Sequence, residues 1–264
     1  MRTVAASSLR ASARESEKLH KSLTRGLQAL ELVAESSIPL SLSVLVRRLK
    51  IPKSTLHGLL KAMVARRYLE LDRDGHYRLG VRSVEIAGAY LSRTTPLKAA
   101  HGELLALSRE LNMTAHFAVL DGPDVLYLAK EDAPGIGLRL ASAVGNRLPS
   151  HLTAVGKANL AYHDGKLEVD LQRTGSSGKP VKWEDLLSEL EQVTNQGYAV
   201  DDGETLTAVR CVAAPVFDAS GGCCGAIGVS YLRDAGPATD QVAARVMRAA
   251  ATASSRLGAH KLVG

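Results

Sequence analysis

The side chains that could carry covalent or redox chemistry in this sequence are few and scattered. They include its three cysteines, Cys211, Cys223 and Cys224. Cys211 with His151 and Lys157 could form a nucleophile beside a base, as covalent catalysis requires. No spacing supports that arrangement, and the sequence contains no hydrolase or nucleotide-binding motif. The sequence therefore predicts neither an enzyme nor a cofactor site.

A metal or redox sensor is the alternative that these residues leave open. The eight histidines and three cysteines include no C-x-x-C or H-x-x-x-H pair of the kind that holds a metal on one element. Cys223 and Cys224 follow a Gly-Gly turn, where strand packing and a redox role both remain open. Three cysteines cannot form a disulfide framework, which agrees with a reducing compartment. A regulator that senses metal or redox state through Cys211, Cys223 and Cys224 is therefore the alternative function.

The distribution of charge separates the first third of the chain from the rest. Residues 1–82 hold 16 Lys and Arg against 7 Asp and Glu, whereas residues 83–264 hold 17 against 20. The whole basic excess thus lies in the first third. A polyanion such as DNA is the simplest partner for it, and a solvated basic surface is the other interpretation. Because only 4% of residues are aromatic, duplex DNA is favoured over a single strand stacked on rings.

The elements predicted in this basic third are three helices and a β-hairpin. The first helix begins near Ser22 and carries Leu23, Leu27, Leu30 and either Val33 or Ala34 on one face. The others are a helix capped by Ser41, a helix from Lys53 with apolar residues from Leu56 to Val64, and strands 68–71 and 77–79 around Asp72–Gly75. This order is that of a winged helix-turn-helix, whose third helix enters the major groove.

The remaining residues predict a linker helix and a larger domain. The helix runs from Val81 to about Leu91, and Thr94-Thr95-Pro96 closes it. Helices and antiparallel strands follow, predicted at 104–111, 116–120, 125–129, 138–143, 154–162, 183–192, 211–217, 226–231 and 240–257. The fold class is α+β. No apolar stretch is long enough for a membrane span and no signal peptide is evident, so we expect a cytoplasmic protein that does not engage a membrane.

Four blocks of sequence resemble the IclR family of bacterial regulators. They are IPKSTLHGLLKAM, YLELDRDGHYRLG, VGNRLPSHLTAVGKANLA and GYAVDDGETLTAVRCVAAPVFDASG. The resemblance implies a winged helix-turn-helix, a linker helix and a GAF-like effector domain with an antiparallel sheet and flanking helices. It also implies a homodimer or homotetramer and, most often, a repressor. We expect a disordered tail at 1–20, a DNA-binding domain at 21–80, a linker helix at 81–96 and an effector-binding domain at 97–264.

The expected DNA contacts lie on the third helix and on the basic residues around it. Ser54, Thr55 and His57 stand at the end of the helix that meets base edges, while lysines and arginines suit phosphates. Ser54 as a helix cap and His57 as a solvated residue remain open. The predicted DNA-binding residues are Lys53, Ser54, Thr55, His57, Lys61, Arg47, Arg48, Arg73 and Arg78.

The expected effector site is carried over from the family residue by residue. The backbone amides of Ala154 and Val155 match those that bind a ligand at a helix start, where a carboxylate fits. The predicted effector-binding residues are Leu140, Leu148, Ala154, Val155, Asp201, Val209, Cys211, Gly228 and Ser230. The expected ligand is a small organic acid or an aromatic metabolite. Asp201 as a turn cap and Cys211 as a buried apolar residue remain open.

Several residues depart from the family pattern. Gly58 replaces a usual Arg in the third helix, Arg67 a usual Gly before the hairpin, and Ala208 a common Gly. Gly58 is expected to weaken its helix by roughly 1 kcal/mol relative to Ala. Gly228 stands where other members carry Ser. That difference removes one hydrogen bond and adds space, which favours a ligand larger or less oxygenated than a two- or three-carbon keto acid.

Overall fold

The computed structural model describes residues 21–93, 95–133, 143–165 and 168–259. The chain divides into two compact units between Tyr90 and Leu91. Across these ranges no helix has both the length and the apolar character needed to cross a membrane. The predicted tail at 1–20 and the predicted effector residue Leu140 lie outside the described residues.

The first unit contains three helices and a small antiparallel sheet. Its elements are α1 (Lys21–Glu35), β1 (Leu40–Ser41), α2 (Leu42–Leu49), α3 (Lys53–Ala65), β2 (Leu69–Leu71) and β3 (His76–Leu79). The helices and the hairpin follow the order predicted from the sequence. The Ser41 hydroxyl accepts a hydrogen bond from the amide of Val44, as expected of a helix N-cap. The two-residue strand β1, which pairs with β3, had no sequence signal.

The buried face of α1 differs in part from the predicted one: Leu30 and Val33 pack on the core as predicted, but the first two leucines do not. Leu23 and Leu27 are 62% and 47% exposed, whereas Gly26, Ala29 and Val33 are buried. A Cβ atom on Gly26 would lie 3.1 Å from Cε of Met63, which belongs to α3. The two helices therefore approach each other through a small residue, and Leu23 and Leu27 lie on the exposed side of α1.

The second unit follows helix α4 (Arg82–Arg93), which crosses the boundary between the units. Its helices are α5 (Thr95–Leu111), α6 (Ala154–Leu160), α7 (Trp183–Gln196) and α8 (Thr239–Arg256). Its strands are β4 (Thr114–Asp121), β5 (Asp124–Glu131), β6 (Arg147–Pro149), β7 (Ala199–Asp202), β8 (Val209–Phe217) and β9 (Cys223–Leu232). Within the described residues the strands form one antiparallel sheet in the order β6-β5-β4-β9-β8-β7.

Helices cover both faces of this sheet. Alternate residues of a strand point to opposite faces, and neighbours such as Phe117 and Ala118 accordingly belong to different core clusters. Helices α5 and α8 pack on the face of Phe117, and α6 packs on the face of Ala118. The fold is α+β with a helix-turn-helix unit and a sheet domain with flanking helices, as predicted.

The differences from the predicted elements lie at element ends and in short strands. Thr95 and Pro96 begin α5 instead of closing the linker helix, since proline is tolerated in a first helical turn. Strands β6 and β7, of three and four residues, were missed. The strand predicted at 138–143 lies outside the described residues except for Ala143, which has no regular structure.

Candidate functional site

Helix α3 presents a polar, exposed N-terminal end. Lys53, Ser54, His57 and Lys61 are exposed and Thr55 is half-buried, while Leu56 and Leu60 hold the opposite face in the core. The N-cap is Pro52, with no side-chain cap. Ser54 is therefore not the cap of this helix, and its hydroxyl lies on the exposed side with its lysine and histidine neighbours.

The predicted phosphate-binding arginines are all exposed, but they differ in their partners. Arg47 and Arg48 lie in the last turn of α2, and Arg73 lies in the hairpin turn. Arg78 already pairs with Glu70 on the neighbouring strand, at 2.9 Å from Nη2 to the carboxylate. A phosphate would have to compete with that carboxylate for Arg78.

Gly58 lies on the exposed side of α3. A Cβ atom placed on Gly58 would meet no atom within 4 Å. The glycine is therefore not required by packing within the described residues. A longer side chain at this position would extend into solvent beside His57 and Lys61.

A cavity in the second unit lies between the start of α6 and the sheet, and we call it the α6 pocket. Seven of the predicted effector residues line it: Leu148, Ala154, Val155, Asp201, Val209, Cys211 and Ser230. Five other described residues also line it: His116, Tyr127, Thr153, Thr205 and Leu206. Its cavity volume is about 30 Å³, which is room for only a few water-sized groups.

The antiparallel register brings the polar residues of the α6 pocket together. Asp201 of β7 faces Cys211 of β8, which faces Ser230 of β9. Gly228 precedes Ser230 by two residues on β9, so it lies on the same face of the sheet, and it faces His116 of β4. Residues far apart in sequence thus form two adjacent rows beneath α6.

The beginning of α6 is fixed by its cap and by the turn that precedes it. Thr153 accepts a hydrogen bond from the amide of Gly156 at 3.1 Å. A Cβ atom on Gly156 would overlap the backbone of Ser150, so only glycine fits there. The Ala154 and Val155 amides belong to the first turn, where N–H groups lack acceptors within the helix.

Asp201 both lines the α6 pocket and caps a turn. Its Oδ1 accepts hydrogen bonds from the amides of Glu204 and Thr205, at 2.7 and 3.3 Å. Burial raises the pKa of the Asp201 carboxyl, and these hydrogen bonds and Lys157 oppose that shift. The turn role left open by the sequence is therefore present, and it holds Thr205 at the pocket wall.

Cys211 and Ser230 make a polar contact inside the α6 pocket. Cys211 Sγ and Ser230 Oγ are 3.1 Å apart. Burial raises the pKa of the Cys211 thiol well above its ordinary value. Cys211 therefore stays a thiol at neutral pH and acts as a weak hydrogen-bonding group instead of a nucleophile.

Lys157 of α6 is buried against two carboxylates. Its Nζ lies 2.5 Å from Glu204 Oε1 and 2.7 Å from Glu189 Oε2, and it donates to the Val200 carbonyl at 3.2 Å. Burial alone would lower the pKa of Lys157, but the two carboxylates outweigh burial and raise it. Lys157 therefore remains charged and ties α6 to the turn that Asp201 caps.

Gly228 does not leave open space in the α6 pocket. A Cβ atom there would lie 2.8 Å from His116 Nε2 and 3.0 Å from Val155 Cγ1. The space expected from the absence of a side chain is thus occupied by the His116 imidazole, and Gly228 itself does not line the pocket. His116 had no signal in the sequence, because an apolar strand with one histidine is indistinguishable from ordinary core.

Cys223 and Cys224 lie apart from Cys211, near the start of β9. Burial raises the pKa of the Cys223 thiol to about 11 and that of Cys224 to about 12. Among the described residues, no group of three or more His, Cys, Asp or Glu side chains could hold a metal ion. The alternative of a metal or redox sensor gains no support from these positions.

Two family models match the chain. The model described as the IclR helix-turn-helix domain matches residues 22–73, and the one described as the bacterial transcriptional regulator IclR C-terminal domain matches residues 88–256. The chain is 34% identical over 205 residues to the HTH-type transcriptional regulator XynR of Escherichia coli, covering 75% of this chain and 81% of XynR. It is 31% identical over 205 residues to the transcriptional repressor IclR of the same species, covering 75% of each.

Solved structures share the fold. An IclR homolog from Microbacterium hydrocarbonoxydans, in complex with 4-hydroxybenzoate, matches with a TM-score of 0.79 and 23% identity, over 89% of this chain and 98% of that one. The Thermotoga maritima IclR matches with a TM-score of 0.73 and 21% identity, over 90% and 99%. At these identities the structural matches show the fold alone.

Proposed function

The chain belongs to the IclR family of bacterial transcriptional regulators, and on that premise we propose that it is a repressor that releases its operator when a small organic acid binds in the α6 pocket. The DNA-binding regulator function follows from the family, whose members are not enzymes. The repressor role, the acid and the residues that contact DNA and ligand are the proposal. One observation carries the effector part, namely that seven predicted effector residues from five elements surround one cavity.

The chemistry of the α6 pocket favours an acid. Its cap and turn hold the first-turn amides of α6 beside the cavity, and Cys211 and Ser230 offer further polar groups. Leu148, Leu206 and Val209 supply apolar walls. A ligand with a carboxylate and a short carbon skeleton or a ring can hydrogen-bond to the polar groups and pack against the apolar walls. The Microbacterium relative in complex with 4-hydroxybenzoate supports this class.

The small volume of the α6 pocket suggests how binding is transmitted. The cavity is small, about 30 Å³, and we propose that an acid of several carbons enters it only when its wall moves. Binding therefore favours a wider conformation of the pocket, and a ligand shifts a conformational equilibrium by its preference for one state. We propose that helix α4 carries this change to the DNA-binding residues.

We assign DNA binding to residues 21–80, linkage to 81–96 and effector binding to 97–264. We expect a homodimer or homotetramer, acting in the cytoplasm where the DNA is. None of the residues of α4 is buried, and Val84 and Ile86 are 70% and 47% exposed, which supports assembly of chains through this helix. Sedimentation of the wild type beside V84S/I86S tests it, because dissociation is expected only in the variant.

DNA binding is tested by fluorescence anisotropy with DNA from upstream of the coding region and a scrambled duplex, at two salt concentrations. Tighter binding to the native duplex that persists in added salt supports a sequence-specific regulator, whereas equal, salt-sensitive binding to both contradicts it. Lys61→Ala should weaken binding to both duplexes and reduce the salt slope by about one. Lys179→Ala, an equal charge change at an exposed position of the second unit, is the control and should change neither.

Base reading and effector response are measured in the same assay. Thr55→Ala should lower the preference for the native duplex over the scrambled one, because base contacts and not phosphates carry specificity. Addition of carboxylic acids to the complex should release the DNA. Tighter binding in the presence of an acid would contradict the mode of action, and no response to any acid would contradict the effector class.

A further inference from the structure

The α6 pocket contains a buried polar side chain without a partner. His116 lines the pocket, and the residue is 1% exposed. Its Nδ1 makes no hydrogen bond within the described part of the chain. Buried polar groups are nearly always hydrogen-bonded, so one that is not requires an explanation, such as a partner that arrives on binding.

The neighbours of His116 hold its ring in this position. The Tyr127 ring contacts it edge to face, with centroids 5.4 Å apart. On the adjacent strand the directly opposed residue is Gly228, and the imidazole approaches the point where a Cβ on Gly228 would be. Val155, at the start of α6, approaches the same point. The ring is therefore fixed between the sheet and α6.

We propose that His116 recognises the effector by hydrogen bonding to an oxo or hydroxyl oxygen of an organic acid bound in the α6 pocket. The inference rests on the proposed function, because it names the chemistry recognised at the same pocket. It identifies a binding residue that the family resemblance did not supply. It also replaces the expectation that Gly228 selects a larger or less oxygenated ligand.

The protonation state of His116 fits this role. Burial, together with the charge of Lys130, lowers the pKa of His116 to about 4. At neutral pH the ring is therefore uncharged, with one N–H donor and one nitrogen acceptor. A hydroxyl can pair with either nitrogen and a carbonyl with the N–H. A ligand that lacks the oxygen would leave the buried imidazole without a hydrogen-bond partner. A site built to hydrogen-bond a ligand oxygen discriminates strongly against a ligand without that oxygen.

The test uses the full chain, its His116→Leu variant and matched pairs of acids. The pairs are pyruvate with propionate and 4-hydroxybenzoate with benzoate, which differ by one oxygen. His151→Leu is the matched control, because His151 is also fully buried with an unpartnered Nδ1, but it does not line the pocket and its Nε2 pairs with the Arg173 carbonyl at 3.2 Å. Affinity is measured by calorimetry and stability by thermal unfolding.

In the wild type we expect that, in at least one pair, the acid with the additional oxygen binds about tenfold more tightly than the acid without it. His116→Leu should lose this preference, retain the affinity for the deoxygenated acid, and unfold at the same or a higher temperature, because an unsatisfied group is removed. His151→Leu should keep the preference and unfold at a lower temperature. If His116 had only a structural role, His116→Leu would instead lower the unfolding temperature and weaken the binding of both acids of a pair equally.

Two outcomes separate the inference from the function on which it rests. If acids bind and His116→Leu retains the wild-type preference, the role of His116 is wrong while the effector function stands. If no acid of the panel binds the wild type, the proposed effector class is wrong, and the role of His116 fails with it.

A ligand-free measurement tests the packing. Gly228→Ser should be destabilising alone and should be rescued by adding His116→Ala, since the serine side chain and the imidazole compete for one space. If Gly228→Ser lowered stability equally in the wild type and in His116→Ala, the packing of the imidazole against Gly228, on which the inference depends, would be contradicted.

Discussion

Among single residues in and beside the α6 pocket, the buried polar groups differ in whether the protein itself supplies their hydrogen-bond or ion-pair partners. Asp201 accepts two backbone amides and Lys157 contacts two carboxylates. Among the described residues, Nδ1 of His116 has no hydrogen-bond partner. The first two stabilise the free protein, because removal of one partner leaves the other buried and unsatisfied. His116 costs stability in the free protein, which is typical of a group reserved for a ligand.

His116 makes the protein sensitive to acid. Its pKa of about 4 lies below its ordinary value of 6.5, so the unfolded chain binds more protons than the folded one between these pH values. Stability therefore falls as the pH drops through this window. From pH 6.5 to 4.5, His116→Leu should lose about 2 kcal/mol less free energy of unfolding than the wild type, measured by urea denaturation. If the free energies of unfolding of the wild type and of His116→Leu changed equally with pH, the lowered pKa of His116 would be contradicted.

Lys157 should contribute strongly to stability. Lys157→Met removes the cation between Glu189 and Glu204, and we expect a loss of about 2–3 kcal/mol, less than for a fully enclosed pair because both carboxylates are partly exposed. Lys130→Met, whose partner Asp132 is largely exposed, should cost less than about 1 kcal/mol. Urea denaturation of both variants measures this, and equal losses would contradict the importance of the Lys157 pair.

Glycines in two of the three helices of the first unit show how packing decides whether an added side chain stabilises the protein. Gly26 of α1 is buried against Met63, where its small size lets the helices approach. Gly58 of α3 is exposed, with nothing near its absent side chain. Glycine weakens a helix in either place, but only Gly26 gains a close contact in return.

Gly58→Ala should therefore stabilise the chain by about 1 kcal/mol. Gly26→Ala gains the same helix propensity but presses its Cβ against Met63 Cε at 3.1 Å, so its net effect should be smaller or destabilising. The free energy of unfolding of each variant, from urea denaturation, checks this. A larger gain for Gly26→Ala than for Gly58→Ala would show that packing does not determine the difference.

On the scale of the whole molecule, α4 is the segment through which the two units are connected. The boundary between the units falls inside this helix, and Leu91 near its end packs on the core of the second unit. A continuous helix transmits displacement better than a flexible linker, which relaxes over many conformations. The proposed response to effector therefore depends on an intact α4.

A flexible Gly/Ser insertion after Arg82 should abolish the response to effector while it leaves operator affinity within about threefold of the wild type. The same insertion after Gly178, in an exposed segment of the second unit, should leave both intact. Anisotropy with and without the acid checks the two variants. A retained response in the Arg82 variant would show that α4 does not transmit the signal.

Sequence alone determined the α+β class, the order of the main helices and hairpins and the family. Local signals carry these features: Ser41 caps a helix, Asp72–Gly75 makes a turn, and alternating apolar residues mark strands. The blocks around Lys157 and Asp201 identified most of the pocket lining. These features depend on residues that are neighbours in the chain, or on resemblance.

Only the tertiary structure decided which side chains meet. Strand register between β9 and β4 places His116 beside Gly228, and the packing of α1 on α3 buries Gly26 while Leu23 and Leu27 stay exposed. The short strands β1, β6 and β7 exist because neighbours pair with them. Such contacts join residues that are distant in sequence, and their geometry is set by the packing of whole elements, so no local pattern encodes them.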